Sequence, residues 1–307
     1  MNSSQILFFT FGFYIEIGLL KYFVFLVLMC VYSLIICANV LLIVVICVHR
    51  SLHEPMYLFL CSLFVNELCG STALYPFLMI QILSDIHTVS VNLCYLQIFC
   101  LYLYVNVQFY NLAAMSYDRY LAICFPLQYH TRMASQKTAV LIALSWLFPV
   151  MAITIMIALN ASLQLCGNII DRLFCDNYSV VKLACSDTSA NNIYGLIYTF
   201  VVLLGLTVLI LYTYSKILRV CFSGSKQTRQ KAVSTCTPHL VSLLNFSFGC
   251  FFEIAQSRLN MSSAPLMLRI FLSLYFLIFQ PLFNPLVYGL SLTKIYSICK
   301  SLLIRKV

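Results

Sequence analysis

Met115-Ser-Tyr-Asp-Arg-Tyr-Leu-Ala-Ile-Cys124 sets an acid and a permanent cation, Asp118 and Arg119, side by side at the end of a long apolar run. Arg does not lose its proton, and membrane depth penalises unpaired charge. A charged pair in that place needs a reason. The segment leading to it, residues 91–124, is too long for an upright membrane helix and predicts a tilted one. Pro126 stops that helix soon after.

The whole chain fits this reading. Of its 307 residues, 62% are hydrophobic and only 9% are charged. A soluble domain carries about 25% charged residues, so this chain cannot cover a water-facing surface. A membrane span takes roughly 20 apolar residues. Seven such segments are read at residues 22–48, 56–83, 91–124, 138–160, 191–221, 231–257 and 266–290. The expected fold class is an all-α membrane protein, a seven-transmembrane-helix bundle forming one domain. Residues 1–21 precede the spans, and residues 291–307 form a tail. The tail interleaves Leu292, Ile295 and Ile298 with Lys294 and Lys300, the pattern of a short amphipathic helix on the membrane surface. The first 20 residues lack a basic stretch and a small-residue cleavage site, so span one is expected to act as signal anchor.

Orientation follows from the basic residues. Thirteen of the 18 Lys and Arg fall on the side that carries Arg119, and five (Lys21, Arg172, Lys182, Arg258 and Arg269) fall on the other. The richer side is read as cytoplasmic. The N-terminus is then outside, together with the sequons at Asn2, Asn160, Asn177 and Asn260, of which Asn2 is the expected glycan site. Most of the 15 Cys lie within apolar spans and read as small buried hydrophobes. Cys94, Cys166, Cys175 and Cys185 lie in or beside polar loops on the oxidising side. Four Cys allow three pairings. Because Cys94 heads span three, one bridge is expected to tie that helix to the long loop. A metal site finds no support, since His87 is the only His on that side and has no ligand-like spacing to these Cys.

Asp118-Arg119-Tyr120, Asn284-Pro285-Leu-Val-Tyr288, Asn39, Trp146 and Cys94 resemble the signature positions of rhodopsin-like G-protein-coupled receptors. Five longer strings narrow the resemblance to odorant (olfactory) receptors. They are Pro55-Met-Tyr-Leu-Phe-Leu60, Met115–Cys124, Pro126-Leu-Gln-Tyr129, Lys182-Leu-Ala-Cys-Ser-Asp187 and Lys231-Ala-Val-Ser-Thr-Cys-Thr-Pro-His239. The resemblance covers about residues 39–290. Three places depart from the pattern. Glu67 stands where most such receptors carry Asp, in a cavity that can be polar or sodium-binding. Phe246-Ser-Phe-Gly249 replaces a Phe-Tyr-Gly string, and Gly289-Leu-Ser-Leu-Thr293 lacks the usual Arg-Asn.

The resemblance implies a receptor for a small organic odorant, with a heterotrimeric G protein of the stimulatory, cAMP-raising type on the cytoplasmic face. It implies a plasma-membrane location, in sensory cilia. It also implies the pairing Cys94–Cys175 and Cys166–Cys185. Asp118 and Arg119 become a switch, with Tyr120, Leu127, Tyr214, His239, Asn284, Pro285 and Tyr288 around it. Tyr214 and Tyr288 share a level and are placed to hydrogen-bond across the bundle, and the basic rim also suits anionic lipid.

The ligand pocket is expected between spans three, five, six and seven. Helical spacing puts Leu101, Tyr102, Val105 and Asn106 on one face of span three. Tyr198, Thr199 and Val202 face them from span five, Cys250, Ile254 and Arg258 from span six, and Leu277 from span seven. Arg258 could hold a carboxylate by a bidentate pair. Its rivals are an ion pair with Glu253 or Asp187, or plain solvation.

Other classes fit less well. An amine receptor wants an acid on the pocket face of span three, where Leu101 and Tyr102 offer none. A peptide receptor is disfavoured by the odorant-type strings. A transporter tends to show internal repeats around midplane charges; none is found, and Glu67 is solitary. No Ser-His-Asp set, His-Glu-x-x-His string or carboxylate pair suggests an enzyme. Neither a cofactor nor a nucleic-acid partner is implied.

Overall fold

The computed structural model describes residues 6–14, 17–223, 226–258 and 265–304. Span one is Leu20–Val48, span two Pro55–Leu83, span three Val91–Cys124, and span four Ser135–Ala161. Span five is Ser189–Ser223, span six Lys226–Arg258, and span seven Leu266–Ser291. A separate helix, Thr293–Ile304, follows. Six of the helices are long and apolar enough to cross a membrane. Span seven joins them if its two parts, bent by 45° between Tyr275 and Leu277, count as one. Pro281 explains a break there, because its ring lacks the N–H that would bond Leu277 four residues back and its ring crowds that carbonyl.

Local chemistry sets several of the ends. Pro55 opens span two at the first helical turn, where a missing N–H costs nothing. Ser90 caps span three by accepting from the Leu93 amide at 3.4 Å. Asp176 caps a six-residue helix, Asn177–Lys182, accepting from the Tyr178 and Ser179 amides at 3.0 and 3.3 Å.

Span three is the centre of the bundle. In its most apolar window 61% of residues are buried, against 11% in span five. Span five turns Phe200, Val201, Val208 and Leu211 outward, as a helix facing lipid does. Asn66 of span two anchors to span three by donating to the Tyr104 carbonyl at 2.9 Å. Above it, Gly70 lets the helices close: a Cβ there would stand 2.5 Å from the Tyr104 ring, itself buried.

A small sheet was not expected from the sequence. Strand β1, Phe8–Phe11, pairs antiparallel with β2, Thr88–Ser90, and parallel with β3, Ile169–Ile170. Phe9 and Phe11 point into the protein, and so the segment before span one is folded onto the bundle. Tyr14 continues this packing. Its hydroxyl donates to the Leu173 carbonyl at 2.7 Å, its ring stacks on His87, and burial raises its pKa. Cys94–Cys175 ties the head of span three to the long loop, and Cys166–Cys185 closes that loop on itself. Closing such loops contributes about 2–4 kcal/mol each.

Two sequons are built into structure. The Asn160 side chain is fully buried and donates to Asn177 while accepting from Asn191 at 3.0 Å. Asn2 and Asn260 lie outside the described residues.

Gly70→Ala should lower the unfolding temperature of the purified protein by roughly 2–8 °C, the overpacking cost of moving a buried Tyr104 ring. Gly205→Ala, where nothing lies within 4 Å, should leave it unchanged or slightly raised.

Candidate functional site

A cavity of about 220 Å³ opens in the half of the bundle that carries the disulfides. Small-ligand sites usually start near 300 Å³, so this one suits a small molecule. Leu101, Tyr102, Val105 and Asn106 line it from span three. Tyr198, Thr199 and Val202 face them from span five, Cys250 and Ile254 from span six, and Leu277 from span seven. Asn106 is fixed from both sides. It donates to the Tyr102 carbonyl at 2.7 Å and accepts from the Tyr198 hydroxyl at 3.0 Å, which joins spans three and five across the cavity. Phe109 also lines the cavity and joins an aromatic cluster behind the wall. Phe109 meets the fully buried Phe246 at 5.0 Å between ring centres, and Tyr104 meets Phe246 edge-on at 6.1 Å.

The side chain of Arg258 lies outside the described ones. The acids set against it as rivals are engaged elsewhere. Asp187 accepts from the Ser189 amide and hydroxyl at 2.9 and 2.6 Å, which holds its carboxyl below the usual range. Glu253 lies 3.4 Å from Arg172. Arg172 is the described cation at this cavity's edge, and it is also 3.6 Å from Asp176 and 3.4 Å from the Ser273 hydroxyl. Span three indeed offers no acid to the cavity; the carboxylates come instead from the loop and from span six, as Asp176 and Glu253. Residues 174–178 all line it. The signal for them was the Cys94–Cys175 bridge, which draws the loop over span three.

A chain of mostly buried polar side chains crosses four spans. Glu67 accepts from Gln108 at 3.1 Å and from Asn284 at 2.5 Å. Asn284 accepts from Ser242 at 2.7 Å and from Gln280 at 3.2 Å. Gln280 accepts from Asn245 at 2.6 Å, and Asn245 accepts from Tyr275 at 2.5 Å. Glu67 is thus held by the neutral amides of Gln108 and Asn284, and among the side chains of this network it is the one carboxylate. The sequence reading missed Gln108, Ser242, Asn245 and Gln280, since each looks like an ordinary polar residue until its partner on another helix is known. Among the described residues no group of three His, Cys, Asp or Glu is placed to hold a metal ion.

At the far end, Asp118 is fully buried. It accepts from Arg119 Nε at 3.0 Å and Nη2 at 2.5 Å, and from the Tyr129 hydroxyl at 2.7 Å. Burial, helped by the Asp118 charge, raises the Tyr129 pKa. Tyr120 packs edge-on against Phe125, and Leu127 is 99% exposed. Tyr288 does not bond Tyr214 across the bundle. Its hydroxyl meets His239 Nδ1 at 3.3 Å, while the buried Tyr214 hydroxyl has no hydrogen-bond partner. Both Tyr288 and His239 are buried, and their rings meet edge-on with centres 5.4 Å apart, which sets the hydroxyl toward the imidazole. Pro285 is buried beside Asn284.

A seven-helix bundle with a lined cavity toward one end and a buried acid–arginine pair at the other is the build of a rhodopsin-like receptor. The crystal structure of squid rhodopsin matches with a TM-score of 0.75 over 94% of this chain and 82% of that one, at 14% identity, which shows the shared fold. The olfactory receptor family model matches residues 28–306. Human (Homo sapiens) olfactory receptor 11A1 is 34% identical over 309 residues, 98% of this chain and 95% of its own. Mouse (Mus musculus) olfactory receptor 4B13 is 33% identical over 266 residues, 86% of this chain and 85% of its own. The chain belongs to the olfactory receptor family. It is a multi-pass plasma-membrane receptor and not an enzyme.

Gln108→Leu should destabilise the folded receptor by about 1–3 kcal/mol, because it removes one of the two acceptors of the buried Asn66 amide and takes one donor from Glu67. Thermal unfolding in detergent measures this.

Proposed function

We propose that a small organic odorant binds in the cavity between spans three, five, six and seven and activates a heterotrimeric G protein of the stimulatory, cAMP-raising type at the Asp118–Arg119 end. The observation that carries this reading is that one helix, span three, bears both the cavity face and the charged pair. Leu101, Tyr102, Val105, Asn106, Tyr198, Thr199, Val202, Cys250, Ile254 and Leu277 would contact the ligand, with Arg258 at the mouth one turn beyond Ile254.

In the resting protein Arg119 is held by Asp118, and Tyr129 holds the other carboxylate oxygen. A ligand pressing on Phe109, which packs on Phe246, shifts span six against span seven. The Asn284–Ser242 contact and the His239–Tyr288 contact join those two spans, so both must rearrange. Span six then swings out, and Arg119 leaves Asp118 for the G protein. Tyr120, Leu127, Tyr214 and Pro285 border that surface. The excess of Lys and Arg at this end supports a cytoplasmic placement, next to anionic lipid, with the N-terminus outside and Asn2 open to glycosylation. Sensory cilia are the location expected of the family.

Cells expressing the receptor with a cAMP reporter should respond to at least one member of a panel of acids, amines, aldehydes and alcohols. Arg119→Ala should abolish that response while surface staining and ligand binding stay within about twofold. An ionic current without any cAMP rise would instead mark a channel.

A further inference from the structure

We propose that the charged end of the cavity selects protonated amines, with the Glu253 carboxylate as the counter-ion. The proposal deepens the ligand-site reading above and rests on it. At this end two acids share one base. Arg172 Nη2 lies 3.4 Å from Glu253 Oε1, and Arg172 Nε lies 3.6 Å from an Asp176 oxygen. Asp176 is further committed, because its oxygens accept from the Tyr178 and Ser179 amides at the start of the short helix. Glu253 has no such second commitment. Its Oε2 is buried and has no hydrogen-bond partner, and the residue lines the cavity. Two carboxylates against one guanidinium leave one negative charge in excess among the described residues there.

The other charged groups nearby whose side chains are described do not offset it. Lys182 is exposed and lies over the Tyr178 ring, 4.6 Å from its centre. Arg269 stacks on Phe13 at 4.5 Å and is not part of the cavity lining. An uncompensated carboxylate away from water is costly until a cation reaches it. A ligand ammonium is such a cation, and it donates as well as neutralises.

The remaining lining is what an ammonium favours. Tyr102, Phe174, Tyr178 and Tyr198 line the same space, and aromatic faces attract cations that have left water. A free carboxylic acid would meet the opposite: two like charges, with the one described cation already shared.

The test uses three probes with the same five-carbon skeleton: isopentylamine, isopentanol and isovaleric acid. Purified full-length receptor in nanodiscs is heated with each. The amine should protect at a concentration at least about tenfold below the alcohol, in line with a hydrogen bond to a charged group, and the acid should give no protection. Glu253→Gln should close the amine–alcohol gap to under about twofold, and Glu253→Asp, which keeps the charge, should retain part of it. If Glu253→Gln does not fold, the wild-type comparison and Glu253→Asp decide. No protection by the amine, equal or better protection by the alcohol or acid, or a gap that survives Glu253→Gln would overturn the proposal. The cAMP response is read separately in cells. Amine protection without cAMP supports the selectivity and counts against the signalling reading; cAMP responses without amine preference do the reverse.

Discussion

Polar groups at membrane depth cannot turn to water, so each must find its partner inside the protein. That constraint arranges this molecule. It closes every span into a helix and turns the apolar side chains of span five outward. It also gathers Glu67, Gln108, Asn245, Gln280 and Asn284 into one buried chain. That chain links spans two, three, six and seven. Gly70 lets span two approach closely enough for Asn66 to reach the backbone of span three.

The same constraint makes the structure responsive. A hydrogen-bonded chain in a low-dielectric interior is stiff while complete and unfavourable when broken. Asn284 holds two partners on different helices, Glu67 on span two and Ser242 on span six. Any movement of span six must therefore exchange partners rather than stretch them. Phe109 at the cavity packs on Phe246 of span six, and Arg119 lies on span three, the helix that carries Phe109. Coupling between the ends then needs only a bundle with two ways of satisfying the same buried groups.

What could be read from the sequence follows from where each signal resides. Lipid imposes length and apolarity locally, so the spans could be placed from residue order alone; span three runs over the same residues, 91–124, in the reading and in the structure. Helical periodicity gathered Leu101, Tyr102, Val105 and Asn106 on one face, and the cavity lies along that face. Two kinds of feature were not legible. Strand β1 is only four residues, and its partners β2 and β3 lie far along the chain, so no local pattern announces it. The Arg172–Glu253 pair and the Gln108–Glu67 bond likewise join residues of different elements. A polar residue inside a span shows that a partner exists, but only the packing says which one.

The central claim is that the cavity and Arg119 bias one equilibrium, and linkage makes it reciprocal: whatever the ligand does for G-protein binding, the G protein does for the ligand. The most direct measurement is the affinity of an activating odorant for purified receptor with and without a saturating nucleotide-free G protein. The account predicts tightening by about 5- to 150-fold, lost in Arg119→Ala. Equal affinity with and without the G protein would contradict it.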